Sequence, residues 1–322
     1  MKHYTSTPRA LITIILLLSV LGSSQTITSA QDATPGSGPE SELSSPLPVI
    51  DLPTMNLQSY TFELESAWQG DAASVPEEAP IFEVEPVNYD QEDVADVAET
   101  LDVDGEITEQ GAGTYTVEGE GSIYTTPGLL QFVSAVEAPD EALPDDEAAI
   151  AYARDWLRIS GLMPADMGDG SIVARIEEPA RLIVEFLPAN PAPLLSSTPG
   201  ITVTVGPAGS ILESRVSWAT ITEADTYRLR GVSDAFTLVE GRQSYLDVTL
   251  PIEQFPQGSS IAGVVTYDGV SIAYTSSGTI GEAQYLQPVY IFTGTLTPEG
   301  SDETFPISAY VPAIVTELQP VG

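Results

Sequence analysis

The chain lacks cysteine, and its only histidine and its only lysine, His3 and Lys2, lie at the N-terminus. Without cysteine the protein can form no disulfide, carry no lipid on a cysteine and bind no zinc through thiolates. Beyond residue 3 there is no imidazole and no lysine amine either. Ser-His-Asp and Cys-His catalysis, Schiff-base chemistry and His-ligated zinc are therefore excluded there, and carboxylates are the side chains left for proton transfer.

Basic residues are scarce as a class. Ten Lys and Arg stand against 47 Asp and Glu, which gives a formal net charge of -37 at pH 7. Nucleic-acid binding depends largely on basic side chains that neutralise phosphates, and anionic lipid head groups attract the same side chains. Nucleic acid and lipid surfaces are therefore excluded as main partners, whereas an acidic surface of this kind keeps a protein soluble and gathers cations.

The first thirty residues have the three regions of a secretory leader. Lys2, His3 and Arg9 precede the apolar run 11–21, and a stretch of small residues ends at Ala30. The apolar run is shorter than the roughly 20 residues of a spanning helix, which favours cleavage after Ala30 over a retained N-terminal membrane anchor. The sequence thus predicts a secreted or extracytoplasmic protein with no membrane insertion of its mature chain.

Beyond the leader, the order of a helix followed by strands occurs three times. Residues 31–55 are rich in Pro, Ser and Gly and predict a flexible linker. The first predicted helix begins near Asp90, the second spans 144–162, and the third has Ser233 as its cap. We therefore predict an α+β fold of tandem modules, each with one helix packed on an antiparallel β-sheet. The modules are predicted over residues 56–140, 141–222 and 223–322.

The stretch QYLQPVYIFTG, residues 284–294, is uncharged and rich in aromatic side chains. In a strand, Leu286, Tyr290 and Phe292 would point to one face, because strand side chains alternate. Pro288 cannot donate to a ladder, so this strand either lies at an edge or begins its regular pairing after that residue. We predict a core-forming strand rather than a ligand platform, since buried aromatic faces are the common case.

Five phrases are shared in pattern with a known group of proteins. They are DEAAIAYARDWLRISGL (146–162), ITVTVGPAGSILESRVSW (201–218), TYRLRGVSDAFTLV (226–239), LQPVYIFTGTL (286–296) and ISAYVPAIV (307–315). In these phrases the chain resembles bacterial exported proteins of the PepSY-like and YycH/YycI-like kind. The resemblance implies small helix-on-sheet modules outside the cytoplasmic membrane, with a regulatory or binding role and no catalysis. Regulatory members of that kind keep a membrane-spanning anchor, whereas this leader is predicted to be cleaved.

Paired carboxylates are the one catalytic chemistry that the composition allows. A glycosidase needs two acids held a few ångströms apart, one of them with a raised pKa. Only Glu185 in LIVEF and Glu213 in ILESR have apolar neighbours that could provide such a setting. Each is expected to face solvent from an alternating strand. No catalytic residue and no cofactor are therefore assigned.

Calcium is the metal that suits an acidic exported chain, because hard cations prefer oxygen ligands. Residues 100–111 can be aligned with the twelve-residue calcium loop so that Asp102 and Asp104 fall in register, but the first and last ligand positions lack acids. A helix end that runs into a turn explains the Asp-Gly pair equally well. Asp102 and Asp104 are therefore weak candidate metal ligands, and Asp166 and Asp169 are weaker still.

These observations predict an exported, non-enzymatic binding or regulatory protein of the cell envelope. Its partner is expected to be an envelope protein or a wall component of unknown identity. Two alternatives stay open: a glycan hydrolase that uses only carboxylates, and a calcium-dependent structural module of the cell surface that binds divalent cations. Facing carboxylates in a concave pocket would favour the hydrolase, and a calcium-dependent rise in melting temperature would favour the structural module.

Overall fold

The computed structural model describes residues 47, 48, 50, 52, 60–72, 75–136, 138–277 and 284–314. The predicted leader lies outside these residues. No helix within the described ranges is both long and apolar enough to cross a membrane. Of the predicted linker, Leu47 is buried, and the carbonyl of Pro48 accepts a 2.7 Å hydrogen bond from the side-chain amide of Gln287.

The described chain forms two β-sheets and three α-helices. The helices are α1 (Gln91–Thr100), α2 (Asp146–Ile159) and α3 (Val232–Glu240). One sheet contains β3 (Ile107–Gly111), β4 (Thr114–Gly119), β5 (Gly121–Thr126), β6 (Leu129–Val133), β7 (Met167–Ile176), β8 (Arg181–Pro188), β9 (Gly200–Val205) and β10 (Ile211–Ser217). The other contains β1 (Thr61–Trp68), β2 (Glu78–Pro86), β11 (Ala219–Arg228), β12 (Tyr245–Val248), β13 (Ser260–Ser277), β14 (Gln284–Pro298) and β15 (Phe305–Pro312).

The eight-stranded sheet has the order β3-β4-β5-β6-β10-β9-β8-β7. It consists of two similar halves, each a helix followed by a four-stranded antiparallel meander. The halves meet at their last strands, where β6 and β10 pair antiparallel with Leu130 opposite Val216. Both helices cover the same face of the sheet, because the buried side chains of α1 and α2 belong to one core with those of the strands.

The predicted starts of α1 and α2 are confirmed, and each has an aspartate cap. The side chain of Asp90 accepts hydrogen bonds from the N–H groups of Glu92 and Asp93, and Asp145 accepts one from Ala148. Such caps satisfy N–H groups that have no partner inside the helix. In α2 the residues at helical spacing, Ala149, Ala153 and Leu157, are fully buried against the sheet, which fixes the face that the helix presents.

The seven-stranded sheet is built from both ends of the described chain. Its main path is β1-β13-β14-β15-β12, and β2 joins it by pairing with β14 and with β11. β1 lies parallel to β13, while the other pairs are antiparallel. α3 buries Phe236 against Tyr267 and Phe292 of the strands, with ring centroids 5.7 Å and 5.6 Å away. Aromatic side chains of α3, β13 and β14 thus pack together within the core of this sheet.

The aromatic stretch 284–294 forms part of β14, and its predicted role in the core is confirmed. Tyr290 and Phe292 are 1% and 0% exposed, and Val289 of the opposite face is also 0% exposed. On one side β14 pairs with β13 along its length, whereas on the other side it pairs with β2 up to Leu286 and with β15 from Val289 onward. Pro288 thus lies where the strand changes neighbours, a position that tolerates a residue without an N–H donor.

The predicted fold class, tandem modules with one helix on each sheet, is wrong. The described chain is mainly β-structure arranged in two large sheets, and α1 and α2 share one of them. The physical reason is that a four-stranded meander leaves an edge of unpaired N–H and C=O groups, and pairing β6 with β10 satisfies one such edge from each half. The sheet under α3 likewise recruits β1 and β2 from a distant part of the sequence.

Two connections join the sheets. β2 and β11 pair antiparallel, and beyond their ends the N–H of Val87 donates to the carbonyl of Trp218 at 2.9 Å. The chain therefore enters and leaves the eight-stranded sheet at adjacent points. The second connection is the loop between β8 and β9, in which the N–H of Leu195 donates to the carbonyl of Tyr274 in β13 at 2.8 Å.

Candidate functional site

One face of the eight-stranded sheet lies opposite α1 and α2, and we call it the open face. Cross-strand pairing places one row of side chains across all eight strands of this face. In strand order the row is Thr108, Thr116, Tyr124, Gln131, Arg215, Thr202, Glu185 and Ser171. None of these side chains is buried. At about 4.8 Å between strands the row is about 34 Å long.

The open face presents side chains that can form hydrogen bonds. Its central row consists of hydroxyl and amide groups with one arginine and one carboxylate. A second row beside it contains Val133, which is 39% exposed, and Tyr124 of the first row is 41% exposed. Such a mixture of polar and apolar side chains on a flat surface suits contact with a macromolecule better than enclosure of a small molecule.

The two acids singled out in the sequence, Glu185 and Glu213, both lie on the open face. β9 separates them, and they are offset by two residues, because Glu185 pairs with Thr202 and Glu213 with Thr204. Standard sheet spacing places their Cα atoms roughly 11–12 Å apart. Glu213 also accepts a 2.8 Å hydrogen bond from Gln131 on the far side of β10, which draws it away from Glu185. The sheet therefore does not bring the two carboxyl groups together.

Burial raises the pKa of the Glu185 carboxyl. The folded protein thus binds this proton more tightly than the unfolded chain does, so ionisation of Glu185 costs stability above the raised folded-state pKa, and the cost is relieved as the pH falls through that pKa. We expect Glu185→Gln to raise the melting temperature at about pH 7 and to have no such effect at about pH 3.

Glu118→Gln, on the same face and exposed, is the matched control for this prediction, because removing any negative charge from so acidic a chain reduces repulsion. The measurement is thermal unfolding of both variants across the acidic range. Equal gains for the two variants at about pH 7 would show that the burial of Glu185 makes no separate contribution.

The candidate calcium ligands Asp102 and Asp104 are exposed residues just after α1. Asp102 has a φ of 56°, and Gly105 packs so closely on β4 that a Cβ there would lie 2.4 Å from the carbonyl oxygen of Glu118. The turn after α1 lies at Leu101 and Asp102, and Gly105 packs against β4 beyond it. Within the described ranges, no group of three or more His, Cys, Asp or Glu side chains is placed to hold a metal ion.

The weaker pair, Asp166 and Asp169, has partners within the protein. The indole N–H of Trp218 donates to Oδ1 of Asp166 at 3.1 Å, and Asp169 lies 3.8 Å from the guanidinium of Arg154. Trp218 is buried, so its bond to Asp166 anchors the start of β7 at the junction of the two sheets. These two acids therefore have structural contacts that account for them without a metal.

The structure also contains a site that sequence reasoning did not identify, a cleft beside the start of α3. The cleft has a volume of about 950 Å³ and is lined by two arginines, Arg228 and Arg230, by the first turn of α3, and by the segment before β2. The prediction of Ser233 as the cap of α3 is wrong. The helix starts two residues earlier, at Val232, and its cap position is Gly231, which supplies no side-chain hydrogen bond. We call this feature the arginine cleft.

Comparison with known proteins finds only solved structures of low sequence identity. No protein-family model and no curated protein matches it. Among solved structures, an uncharacterised protein from Eubacterium rectale is 10% identical, with a TM-score of 0.41 over 82% of this chain and 91% of its own. The C-terminal domain of Bacillus megaterium YpeB is 12% identical, with a TM-score of 0.29 over 72% of this chain and 95% of its own. Both TM-scores are below 0.5, so neither structure supports an inference about the fold, activity or partners of this chain.

Proposed function

We propose that this chain is an exported, non-catalytic binding protein of the cell envelope that contacts another envelope protein or a wall component through the open face. The observation that carries the proposal is the eight-stranded sheet with helices on one face and hydrogen-bonding side chains in register across the other. A sheet that served only as a structural core would gain stability from a second covering layer, because such a layer would bury more apolar surface.

The chemistry of the described residues favours binding over catalysis. They contain no histidine, cysteine or lysine. The two acids with partly apolar surroundings, Glu185 and Glu213, lie on separate strands and Glu213 is held by Gln131. A glycosidase requires carboxyl groups about 5–10 Å apart that flank one bond of the substrate. The open face provides a broad contact area instead of such a pair.

The proposal is tested by introducing a charge on the open face. Val133→Glu places a carboxylate beside the central row, and we expect it to abolish or strongly reduce co-sedimentation of the purified protein with envelopes of the source bacterium. Ile159→Glu is the matched control, since Ile159 is 61% exposed at the end of α2, on the helix side of the sheet. The control variant is expected to sediment like the wild type.

Other outcomes would favour other functions. Equal envelope binding by the Val133 and Ile159 variants, or no binding by the wild type, would contradict the proposal. Release of reducing ends from envelope glycans by the wild type, lost in Glu185→Gln or Glu213→Gln, would support a hydrolase. A rise in melting temperature with calcium that exceeds the rise with an equal ionic strength of sodium chloride would support a cation-dependent module.

A further inference from the structure

We propose that the arginine cleft binds an oxyanion group, a phosphate or a carboxylate carried by a small ligand. This site lies on the other sheet from the open face and is independent of the function proposed above. Three features of the structure converge on it: two arginines that form no ion pair among the described residues, a helix start without a side-chain cap, and a cleft of about 950 Å³ that both line.

The two arginines project into the cleft from a fixed segment of backbone. Arg228 and Arg230 lie on the same side of an extended chain, since Leu229 between them is buried on the opposite side. The N–H of Leu229 donates to the carbonyl of Glu77 at 2.8 Å, and the N–H of Arg230 donates to that of Ala313 at 2.7 Å. The segment is therefore held from both sides while its two guanidinium groups remain available.

Arg230 has an unsatisfied donor as well as a charge. Its Nε is buried, with less than 1 Å² exposed, and has no hydrogen-bond partner among the described residues. The three ion pairs of the described chain involve Arg154, Arg158 and Arg175, so neither cleft arginine belongs to one. An arginine presents its donors in a planar fork that matches the oxygen atoms of carboxylate and phosphate groups.

The start of α3 adds further donors to the same cleft. α1 and α2 begin with Asp90 and Asp145, whose carboxylates accept from the first N–H groups of their helices. At the equivalent position α3 has Gly231, and no side chain caps the helix. The N–H groups of the first turn and the positive end of the helix dipole therefore face the cleft. An anionic ligand bound there can accept hydrogen bonds from these N–H groups, as aspartate does in the other two helices.

Two acids also border the cleft, and their negative charges act on any anion that binds there. Glu77 lies in the segment before β2, and Asp234 lies in the first turn of α3. The Tyr290 hydroxyl, also in the lining, donates to the carbonyl of Arg230 at 2.7 Å. The nearby carboxylates repel an anion and partly offset the attraction of the two arginines, so removing one of these acids is expected to strengthen binding.

The test is a titration of the full chain with inorganic phosphate or succinate, observed by calorimetry at constant ionic strength maintained with sodium chloride. We expect one site, and the tighter of the two probes shows whether the cleft prefers a phosphate or a dicarboxylate. Arg230→Gln and Arg228→Gln are each expected to weaken binding about tenfold or more, since each removes a charge-assisted contact. Asp234→Asn is expected to tighten it.

Arg158→Gln is the matched control, because Arg158 forms an exposed ion pair with Asp155 on α2 and lies outside the cleft. It is expected to bind like the wild type. If neither probe binds more tightly than chloride, or if the Arg158 variant loses as much affinity as the Arg228 and Arg230 variants, the proposal is wrong. Arg228 is exposed, so its variant keeps the test valid even if Arg230→Gln fails to fold.

Discussion

Replacing Phe292 with alanine is expected to lower the free energy of unfolding by about 3–5 kcal/mol, the range for deleting a buried aromatic side chain. Phe292 is 0% exposed. Its ring centroid lies 5.5 Å from that of Trp68, 5.6 Å from that of Phe236 and 6.4 Å from that of Tyr267. These three rings come from β1, α3 and β13. The mutation would leave a cavity between these three elements, and they would have to move together to fill it.

Urea denaturation followed by tryptophan fluorescence is a suitable measurement for Phe292→Ala, because Trp68 contacts the mutated ring edge to face. Tyr124→Ala is the control, since Tyr124 is 41% exposed on the open face and its loss should cost far less. A loss below about 1 kcal/mol for Phe292→Ala would mean that the aromatic cluster repacks around smaller side chains, against the rigid core described here.

Replacing Gly105 with alanine is expected to destabilise the fold by about 2–3 kcal/mol, toward the upper end for overpacking. A Cβ at this position would lie 2.4 Å from the carbonyl oxygen of Glu118 and 2.8 Å from its carbonyl carbon. Both contacts are with the backbone of β4, which is fixed by pairing with β3 and β5. Backbone atoms cannot rotate away as a flexible side chain can. The clash with the new Cβ can therefore be removed only if the segment after α1 moves.

Glu106→Ala is the control for the Gly105 variant, because Glu106 is the next residue and is exposed. Thermal unfolding of both variants should be recorded with and without calcium. An effect of Gly105→Ala that is no larger than that of Glu106→Ala would contradict the close packing against β4. A calcium-dependent rescue of the Gly105 variant would instead revive Asp102 and Asp104 as ligands.

Much of the local structure was predictable from the sequence, but most of the long-range strand pairing was not. α1 and α2 were predictable because Asp90 and Asp145 have the capping position and the apolar residues follow at helical spacing. The pairing of β6 with β10 was not predictable, since two strands some 80 residues apart in sequence show no signal of contact in a single chain. The parallel pair of β1 with β13 spans an even longer separation.

The candidate sites divide in the same way. The alternation around Glu185 and Glu213 indicated that both acids would avoid the core, but which face of which sheet they share depends on the order of strands. The arginine cleft was missed for a different reason. The phrase RLRGVS, 228–233, contains both arginines and the uncapped helix start, yet the predicted cap at Ser233 hid the missing side chain at Gly231. The missing cap becomes visible only when the position of the helix start is known.

A 2.9 Å backbone hydrogen bond joins the N–H of Val87 to the carbonyl of Trp218. The two ends of the segment between these residues therefore lie side by side. A segment whose two ends lie side by side can be removed from a protein, or inserted into a different protein, without distorting the rest of that protein. The segment 87–218 meets that condition and brings its own apolar interior. Segment 87–218 is therefore an insertion between β2 and β11, and a short turn in its place would keep these two strands connected.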